Sequence, residues 1–368
     1  MCLLKCLTDR IQRPLQKPMK NYNKWLFSIA FTFLLLEIAL RLKHNNQTYT
    51  ESIGQGYQSY FGRESNSWFL QWPINDTFTV DHGDFKYRYV TDDLGFREKP
   101  TSTLIDSSLN KIITLGDSYT EGVGAAYDSS WPRFFERSLR QTDPKAIVFN
   151  AGINGSDPFY ASITFREKLA KFRPALVISA VNATDIEDFF FRGGMERFKE
   201  GGKLANKKGP WFEPLYKYSY VVRMILVDFM QKRPQLFVTN KEFENTEDEF
   251  IKQTTVNYVA FKRAFIDTGK LLVVIHPEPD ECAYINHADN KHTHAVMLRL
   301  LESLHQNGIA AVDLYPSIAS VINEQNVNQF TYPHDRHYNA RGYKLFSDKL
   351  LAEVAKNYPF LYQQMSLQ

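Results

Sequence analysis

Short apolar runs alternate with longer amphipathic segments from Lys111 onward. The runs rich in Ile, Val and Leu predict five strands, at Ile112–Leu115, Ala146–Asn150, Leu176–Val181, Leu271–His276 and Ile309–Asp313. The segments between and after them predict helices at about 128–141, 158–172, 246–268, 287–307 and 340–356. Strands that are apolar throughout are buried on both faces, and a regular strand–helix alternation favours parallel pairing. The pattern therefore predicts a three-layer α/β/α sandwich with a central parallel sheet.

The most apolar stretch lies near the N-terminus, from Trp25 to Leu40, where Glu37 is the single charge. Sixteen residues make about 24 Å of helix. Leu42 extends the run, Arg41 and Lys43 can reach lipid headgroups, and Glu37 can pair with Arg41 one turn later. We interpret residues 25–43 as an uncleaved transmembrane anchor. The alternatives are a cleaved signal peptide, although no small-x-small site follows the run, and a buried globular helix.

Charge is divided unevenly along the chain. Residues 1–24 carry a net charge of +5, residues 25–43 carry +1, and the remainder carries −3. An acidic body without a basic stripe argues against a nucleic-acid partner. The basic tail is expected to stay in the cytoplasm under the positive-inside rule, which places residues 44–368 outside, in the periplasm if the cell is Gram-negative.

Three cysteines occur in the chain. Cys2 and Cys6 fall on the predicted cytoplasmic side, which leaves Cys282 alone in the exported body and excludes a disulfide within it. This usage favours a bacterial envelope protein.

Four regions are expected along the chain. Residues 1–24 form the tail, 25–43 the anchor, 44–110 a β-rich lead-in and 111–368 the catalytic domain. The lead-in contains an alternating stretch, Thr77 to Val90, typical of a hairpin around His82-Gly83-Asp84. Residues 192–245 interrupt the strand–helix rhythm as an insertion that includes an amphipathic helix, PLYKYSYVVRMILVDF, and is expected to act as a lid or substrate wall.

Ser118 follows the first predicted strand in the stretch LGDSYTEG, where the chain must turn before a helix. A serine hydroxyl needs a base within hydrogen-bond reach and a carboxylate that orients the base. The stretch YPHDRHYNARGYKLF supplies Asp335 and His337, just before Asn339, a good N-cap for the last helix. Ser118, His337 and Asp335 are therefore the predicted nucleophile, base and orienting acid.

Donors for an oxyanion are expected from the loops after the second and third strands, Phe149 to Pro158 and Ser179 to Asp188. The backbone N–H groups of Ser118 and Gly152, with a side chain near Asn182, are the candidates.

Taken together, these motifs resemble the SGNH or GDSL hydrolases. The resemblance rests on four blocks in family order: GDSYTEG at 116–122, NAGING at 150–155, NATD at 182–185 and DRHYNARGY at 335–343. It covers about residues 85–357 and includes LGFRE at 94–98, which is similar to a lead-in of membrane-anchored bacterial members. The resemblance implies a flavodoxin-like sandwich, a Ser-His-Asp triad, no metal or organic cofactor, and attack on esters, often O-acetyl groups of carbohydrates.

Two blocks depart from the family pattern. The third usually reads Gly-x-Asn-Asp, and aligning its last residue on Asp185 puts Thr184 at the asparagine position, with Asn182 two residues early. Both Thr184 and Asn182 are therefore candidate substrate or oxyanion residues. The last block has Asp335 two residues before His337 instead of three, a spacing similar to that of acyl-modifying envelope relatives.

Other functional interpretations of single residues are weaker. Asp117 could suggest the nucleophile of an aspartyl phosphatase, but those enzymes need a second aspartate two residues later. Position 119 of this chain is a tyrosine, which argues against that interpretation. His292 and His294 fall at i and i+2 of a predicted helix and point apart, so with His287 they are expected at a solvated surface and no metal site is predicted. His276 ends a strand and is expected to be a satisfied histidine at the edge of the core.

The sequence thus predicts a membrane-anchored serine esterase that removes acyl groups, above all acetyl, from a carbohydrate or lipid-linked envelope substrate. One alternative is an O-acyltransferase of envelope glycan, which would need a multi-pass partner to carry an acyl donor across the membrane. A second alternative is a catalytically inactive glycan-binding or scaffold protein.

Overall fold

The computed structural model of the protein describes residues 19–43, 64–68, 70, 72–232, 238–264 and 270–359. Its strands are β1 Glu64–Ser65, β2 Thr77–Asp81, β3 Lys86–Val90, β4 Asn110–Leu115, β5 Ala146–Asn150, β6 Leu176–Val181, β7 Phe198–Lys199, β8 Lys203–Ala205, β9 Lys270–Ile275 and β10 Ala310–Asp313. Its α-helices are α1 Met19–Lys43, α2 Ser118–Glu121, α3 Trp131–Leu139, α4 Pro158–Thr164, α5 Thr184–Arg192, α6 Glu213–Tyr218, α7 Tyr220–Met224, α8 Asn240–Ala264, α9 Pro279–Ala283, α10 Ala288–Gln306, α11 Tyr315–Ala319 and α12 Ala340–Asn357.

The five predicted strands form one parallel sheet in the order β10-β9-β6-β4-β5. Numbered along the chain, this is the doubly wound order 2-1-3-4-5. The connection from β4 to β5 runs towards one edge of the sheet, and the connection from β5 to β6 runs back past β4 towards the other edge. A crevice therefore opens between the carboxyl ends of β4 and β6. The predicted fold class is confirmed.

Both faces of this sheet are covered. Successive strand residues point to opposite faces, and β4, β6 and β9 are buried along almost their whole length. On one face α3 packs against α12, with the rings of Trp131 and Phe346 stacked at 5.1 Å. On the other face Ser179 of β6 shares a 2.8 Å hydrogen bond with Tyr258 of α8. The three-layer arrangement follows from the apolar-throughout strands.

Two predicted helices differ in detail. The segment predicted as one helix over 158–172 is α4 followed by a π-turn at Phe165–Leu169 and a 3₁₀ turn at Ala170–Phe172. The amphipathic helix of the insertion is broken into α6 and α7 at Ser219, which is extended and caps α7 by accepting a hydrogen bond from the Val222 N–H. A π-turn at Ile225–Phe229 continues α7.

The lead-in contains the expected hairpin, in which β2 pairs antiparallel with β3 from Thr77 opposite Val90 to Asp81 opposite Lys86. Short β1 pairs with β8, and β8 with β7, so the described end of the lead-in joins the insertion in a small antiparallel sheet. Residues 44–63 of the predicted lead-in lie outside the described residues.

The chain divides into two compact units, one comprising Met1–Ser59 and Gly209–Asn240 and the other Tyr60–Lys208 and Lys241–Gln368. In the first, the described residues include α1, α6 and α7. By length and composition α1 could cross a membrane over Tyr22–Lys43, a property that an N-terminal signal sequence shares. The second unit contains the parallel sheet and every candidate site residue.

Candidate active site

Ser118 lies at the tight turn between β4 and α2. Asp117 is the N-cap of α2, and its carboxylate accepts a 2.9 Å hydrogen bond from the Tyr119 N–H. Gly116 has a φ of +152°, and a Cβ there would lie 2.3 Å from Oγ1 of Thr120. Only glycine fits this close strand exit, and the turn that it permits presents Ser118 at the carboxyl edge of the sheet.

His337 and Asp335 meet Ser118 at that edge. The Nε2 atom of His337 is 2.8 Å from Oγ of Ser118, and its Nδ1 atom is 2.6 Å from Oδ1 of Asp335. Burial acts to raise the pKa of Asp335, but the hydrogen bonds from His337 and its charge outweigh burial and lower that pKa. An ionised Asp335 accepts from Nδ1–H and leaves Nε2 free to accept the Ser118 proton.

The loop that carries these two residues is tied to itself and to α12. The Tyr332 N–H donates to the His337 carbonyl at 3.1 Å, and Asn339 caps α12 by accepting from the N–H groups of Arg341 and Gly342. Between the acid and the base, Arg336 has a left-handed φ of +69°. Its guanidinium is anchored by Asp280, so the turn that directs Asp335 at His337 and His337 at Ser118 is held in place.

Asp84 is a site-supporting residue that the sequence did not reveal. It lies at the tip of the β2–β3 hairpin, and its Oδ2 accepts hydrogen bonds from the backbone N–H groups of His334 and Asp335, at 2.6 and 2.8 Å. The neighbouring Phe85 packs its ring 4.9 Å from that of Tyr332. The hairpin therefore positions the Asp335–His337 loop.

Aromatic residues back the imidazole of His337. The ring centroid of Tyr119 lies 4.9 Å from that of His337, and Tyr338 and His276 pack edge-on against Tyr119. His276 is fully buried, and burial lowers its pKa. Its Nδ1 lies 3.2 Å from the Pro277 carbonyl, but its Nε2 has no hydrogen-bond partner among the residues that the structure describes. Only one of the two ring nitrogens of this expected core-edge histidine is therefore hydrogen-bonded within the described structure, and its ring packs against that of Tyr119.

The candidate oxyanion residues are engaged to different degrees. The Asn182 amide donates one N–H to Oδ2 of Asp117 at 2.8 Å, while its oxygen accepts from the N–H and hydroxyl of Thr184. The Thr184 hydroxyl proton is therefore committed to Asn182. The Gly152 N–H donates to Oδ1 of Asn150 at 3.0 Å. In the described part of the chain, the Ser118 N–H and the second N–H of Asn182 have no acceptor.

Gly152 has a steric reason to be glycine. A Cβ at this position would lie 2.3 Å from the backbone N of Glu121 and 2.6 Å from the carbonyl carbon of Thr120. The Asn150 amide and the Glu121 carboxylate bridge the same two loops through the Thr120 carbonyl and the Asn154 N–H, at 2.8 and 2.6 Å. This contact sets the loop after β5 directly against the turn that carries Ser118.

The LGFRE stretch ties the lead-in to the same loops. Arg97 is buried and donates to the carbonyls of Gly122 and Ala125, at 2.7 and 2.6 Å. Oε2 of Glu98 accepts from the Asn150 N–H and from Arg133, both at 2.7 Å. Both side chains therefore support the backbone around Ser118 from behind.

Asp185 supports Asn182 from its buried side. One carboxyl oxygen of Asp185 accepts the Asn182 N–H at 3.0 Å. Burial first, and then the charge of Asp117, raise the pKa of Asp185 well above its ordinary value. Asp185 is therefore a neutral acid over a wider pH range than an exposed aspartate.

The histidines of α10 have separate protein partners. His292 contacts Glu247 at 2.9 Å, whereas His294 contacts Asp313 at 3.0 Å and stacks on Tyr315. They point apart, as their i and i+2 spacing predicted. Across the described residues, no group of three or more metal-ligating side chains occurs.

The chain matches one protein-family model. The model described as the GDSL-like lipase/acylhydrolase family matches residues 114–345, well over half of the chain, from β4 into α12. The chain belongs to this family. The match contains Ser118, Gly152, Asn182, Thr184, Asp335 and His337. As a GDSL-family member, the protein is an ester-hydrolysing enzyme.

Solved structures similar to the chain include three esterases. The acetyl xylan esterase AlAXEase is 16% identical, with 66% of this chain and 99% of that chain covered and a TM-score of 0.40. The two-domain esterase CEX, active on acetylated mannans, is 14% identical, with coverages of 73% and 52% and a TM-score of 0.40. The acetylxylan esterase Axe2 from Geobacillus stearothermophilus is 12% identical, with coverages of 67% and 94% and a TM-score of 0.42. No curated protein sequence matches the chain.

Proposed function

We propose that the protein is a serine esterase that removes O-acyl groups, with acetyl as the expected group, from a carbohydrate or lipid-linked envelope substrate through an acyl-Ser118 intermediate. The observation that carries the proposal is the unbroken relay from Oγ of Ser118 through His337 to Asp335, with contacts of 2.8 and 2.6 Å. Membership of an acylhydrolase family supports the ester bond as the target. The choice of acetyl and of a carbohydrate rests on the family resemblance.

In the first half of the reaction, Oγ of Ser118 attacks the ester carbonyl while Nε2 of His337 takes its proton. The carbonyl oxygen becomes negative and is stabilised by the two unengaged donors, the Ser118 N–H and the second N–H of Asn182. His337 then gives the proton to the alcohol oxygen as the carbon–oxygen bond breaks. Asp335 stabilises the imidazolium between these two transfers.

In the second half, water attacks the acyl-Ser118 carbonyl. His337 takes a proton from that water and returns it to Oγ as the acyl–serine bond breaks, which releases the carboxylic acid and restores the serine. A sugar hydroxyl in place of water would make the protein an O-acyltransferase. The geometry of the relay serves both reactions, so the products distinguish them.

We assign the catalytic unit to the outer side of a membrane, with α1 as its anchor and the N-terminus in the cytoplasm. The apolar length of α1 and the six Lys and Arg residues before Trp25 support this location. A multi-pass partner is required only if the acyl group has to cross the membrane.

An active-site fluorophosphonate tests the nucleophile. Wild-type protein should be labelled and should hydrolyse aryl acetates, Ser118→Ala should do neither, and Ser320→Ala, which alters an exposed serine after α11, should match wild type. Absence of labelling in folded wild-type protein would contradict the proposal and favour a scaffold role.

A panel of acetylated glycans tests the substrate and the outcome together. We expect free acetate to appear in step with deacetylated glycan. Transfer to an added sugar acceptor without release of free acid would instead show an O-acyltransferase.

A further inference from the structure

Glu37 is the only charged residue between Trp25 and Leu40, and in the first compact unit it has four hydrogen-bond donors around it. The Ser219 hydroxyl, the Tyr220 N–H and the Val221 N–H donate to its carboxylate at 2.9, 3.1 and 3.0 Å. The fourth donor is Arg41, at 2.9 Å, which is the i, i+4 pair expected from the sequence.

These contacts make Glu37 an N-terminal cap of α7 supplied by another helix. The first N–H groups of a helix have no partner within it and carry a partial positive charge. A carboxylate in an apolar span is costly unless its charge is paired and hydrogen-bonded. The side chain of Glu37 is only 13% exposed. Its carboxylate gives the N–H groups at the start of α7 the acceptor that they lack, and those N–H groups offset the cost of placing a carboxylate in an apolar span.

A second set of contacts surrounds Tyr220. Arg41 lies over its ring at 5.7 Å and Arg223 at 4.0 Å, and Arg41 also donates to the Tyr218 carbonyl. Tyr220 is nearly buried. The junction of α1 with α7 is therefore specific and polar, in contrast to the apolar surface around it.

Several outward side chains of this unit are large, apolar and exposed. Trp211 is 83% exposed and Phe229 74% exposed, and Leu215, Tyr218, Ile225 and Met230 are also exposed. Helix α1 exposes its own large side chains along its length, among them Trp25, Phe27, Ile29, Phe31 and Leu35. Apolar exposure on this scale normally marks a surface that something else covers.

The bilayer fits this surface better than a protein partner. The 25 residues of α1 span about 37 Å, somewhat more than the roughly 30 Å hydrocarbon core. Glu37 lies six residues before Lys43, about 9 Å from the end of the helix. The junction therefore falls close to the membrane–water interface, where Trp and Tyr concentrate and Arg and Lys reach the headgroups.

We propose that residues 209–232 form a second, interfacial membrane-binding element, fastened by Glu37 to an α1 that stays in the mature protein, and that lipid covers the apolar side chains exposed by both. Removal of α1 as a signal peptide would leave the start of α7 without its carboxylate. The proposal is independent of the hydrolytic activity.

A fluorescent label on the full chain tests the lipid contact. Cys2 and Cys6 are replaced by serine and buried Cys282 is kept. An environment-sensitive dye is attached to Phe229→Cys, or to Ser320→Cys as the control, in vesicles of phosphatidylcholine and phosphatidylglycerol. Lipid-borne nitroxide should quench the label at position 229, and aqueous iodide the label at 320. Iodide quenching at 229, or protection there from both quenchers as in a protein interface, would overturn the proposal.

Two variants test the fastening. Glu37→Leu keeps α1 apolar but removes the cap, so the label at 229 should lose lipid quenching and gain iodide quenching. Glu37→Gln keeps an acceptor oxygen and should retain most of the wild-type quenching. Unchanged quenching in Glu37→Leu would overturn the role of Glu37. Whole-protein mass spectrometry of the protein extracted from membranes tests retention of the anchor, and a mass that corresponds to a chain without α1 would overturn it.

Discussion

At the scale of single residues, we propose that Asp335 holds His337 in the tautomer that accepts the Ser118 proton. Asp335→Asn can present an amide N–H to Nδ1 and thus favour the wrong tautomer. We expect kcat for aryl acetate hydrolysis to fall about 10⁴-fold, with little change in the thermal unfolding temperature. Activity near that of wild type would mean that another group orients the base.

Asp84 positions the same loop from outside the relay. Asp84→Ala removes the acceptor of two backbone N–H groups, so we expect kcat to fall about tenfold with KM nearly unchanged, because an angstrom-scale misplacement of the base affects chemistry more than binding. Asp84→Asn, whose amide oxygen can still accept, should recover much of the loss. Asp81→Ala on the same hairpin breaks an exposed ion pair with Lys86 and should behave as wild type. A larger change in KM than in kcat for Asp84→Ala would contradict a positioning role.

The contrast between Ser118 and Asp84 shows what the sequence can reveal at this scale. Ser118, Asp335 and His337 lie in short blocks whose residue types point to nucleophilic chemistry, and the structure brings the three together. In the sequence, Asp84 is an ordinary turn residue in His-Gly-Asp. The two backbone N–H groups that it binds, those of His334 and Asp335, lie some 250 residues away along the chain. The engagement of the Gly152 N–H by Asn150 joins residues only two apart, a local Asx-type turn that the Asn-Ala-Gly sequence allows but does not require.

At the scale of elements, the loop after β5 approaches the Ser118 turn too closely for any side chain at position 152. Gly152→Ala should lower the free energy of unfolding by about 3 kcal/mol, because backbone atoms of Thr120 and Glu121 have to move, and the displaced turn should also lower kcat. Gly155→Ala meets no atom closer than 3.8 Å and should cost only about 1–2 kcal/mol of left-handed strain, with kcat unchanged. Urea denaturation and steady-state kinetics of both variants check this, and equal kcat values would contradict it.

Buried Asp185 at the start of α5 makes stability depend on pH. Its pKa in the folded protein lies above the unfolded value of about 3.9, so the folded protein retains a proton that the unfolded chain releases, and the free energy of unfolding falls as pH rises above that value. Asp185→Asn removes this titration while its amide oxygen can still accept the Asn182 N–H. Between about pH 5 and pH 8, urea midpoints of the variant should decline less steeply than those of wild type. Parallel pH curves would contradict a neutral Asp185.

Element prediction from sequence succeeded where the pattern was strong. The five core strands are apolar runs bounded by turns, and the structure reproduces them to within about two residues. The break at Ser219 was missed because serine is tolerated within an amphipathic helix. Its own hydroxyl caps α7 through the Val222 N–H, and the carboxylate of Glu37, from a distant part of the chain, accepts from the Tyr220 and Val221 N–H groups. Strands β1, β7 and β8 have two or three residues each, too few to show a period.

At the scale of the whole molecule, the doubly wound sheet explains the location of the chemistry. Ser118 follows β4 and Asn182 follows β6, neighbouring strands on either side of the point where the chain reverses its direction of winding. Strand–helix alternation predicted the layers, and the family resemblance implied the flavodoxin-like order. The grouping of residues 209–240 with α1 was not predictable, because an apolar helix and an amphipathic segment far away in the chain give no sign in the sequence that they pack together.

The central claim is that Ser118 carries the acyl group between the two halves of the reaction, and trapping that intermediate tests it most directly. Wild-type protein mixed with an aryl acetate, quenched in acid within the first turnover and digested should yield the peptide containing Ser118 with the added mass of one acetyl group. His337→Ala should yield none of it. An acetyl group on another residue of wild type, or rapid hydrolysis by Ser118→Ala, would contradict the account.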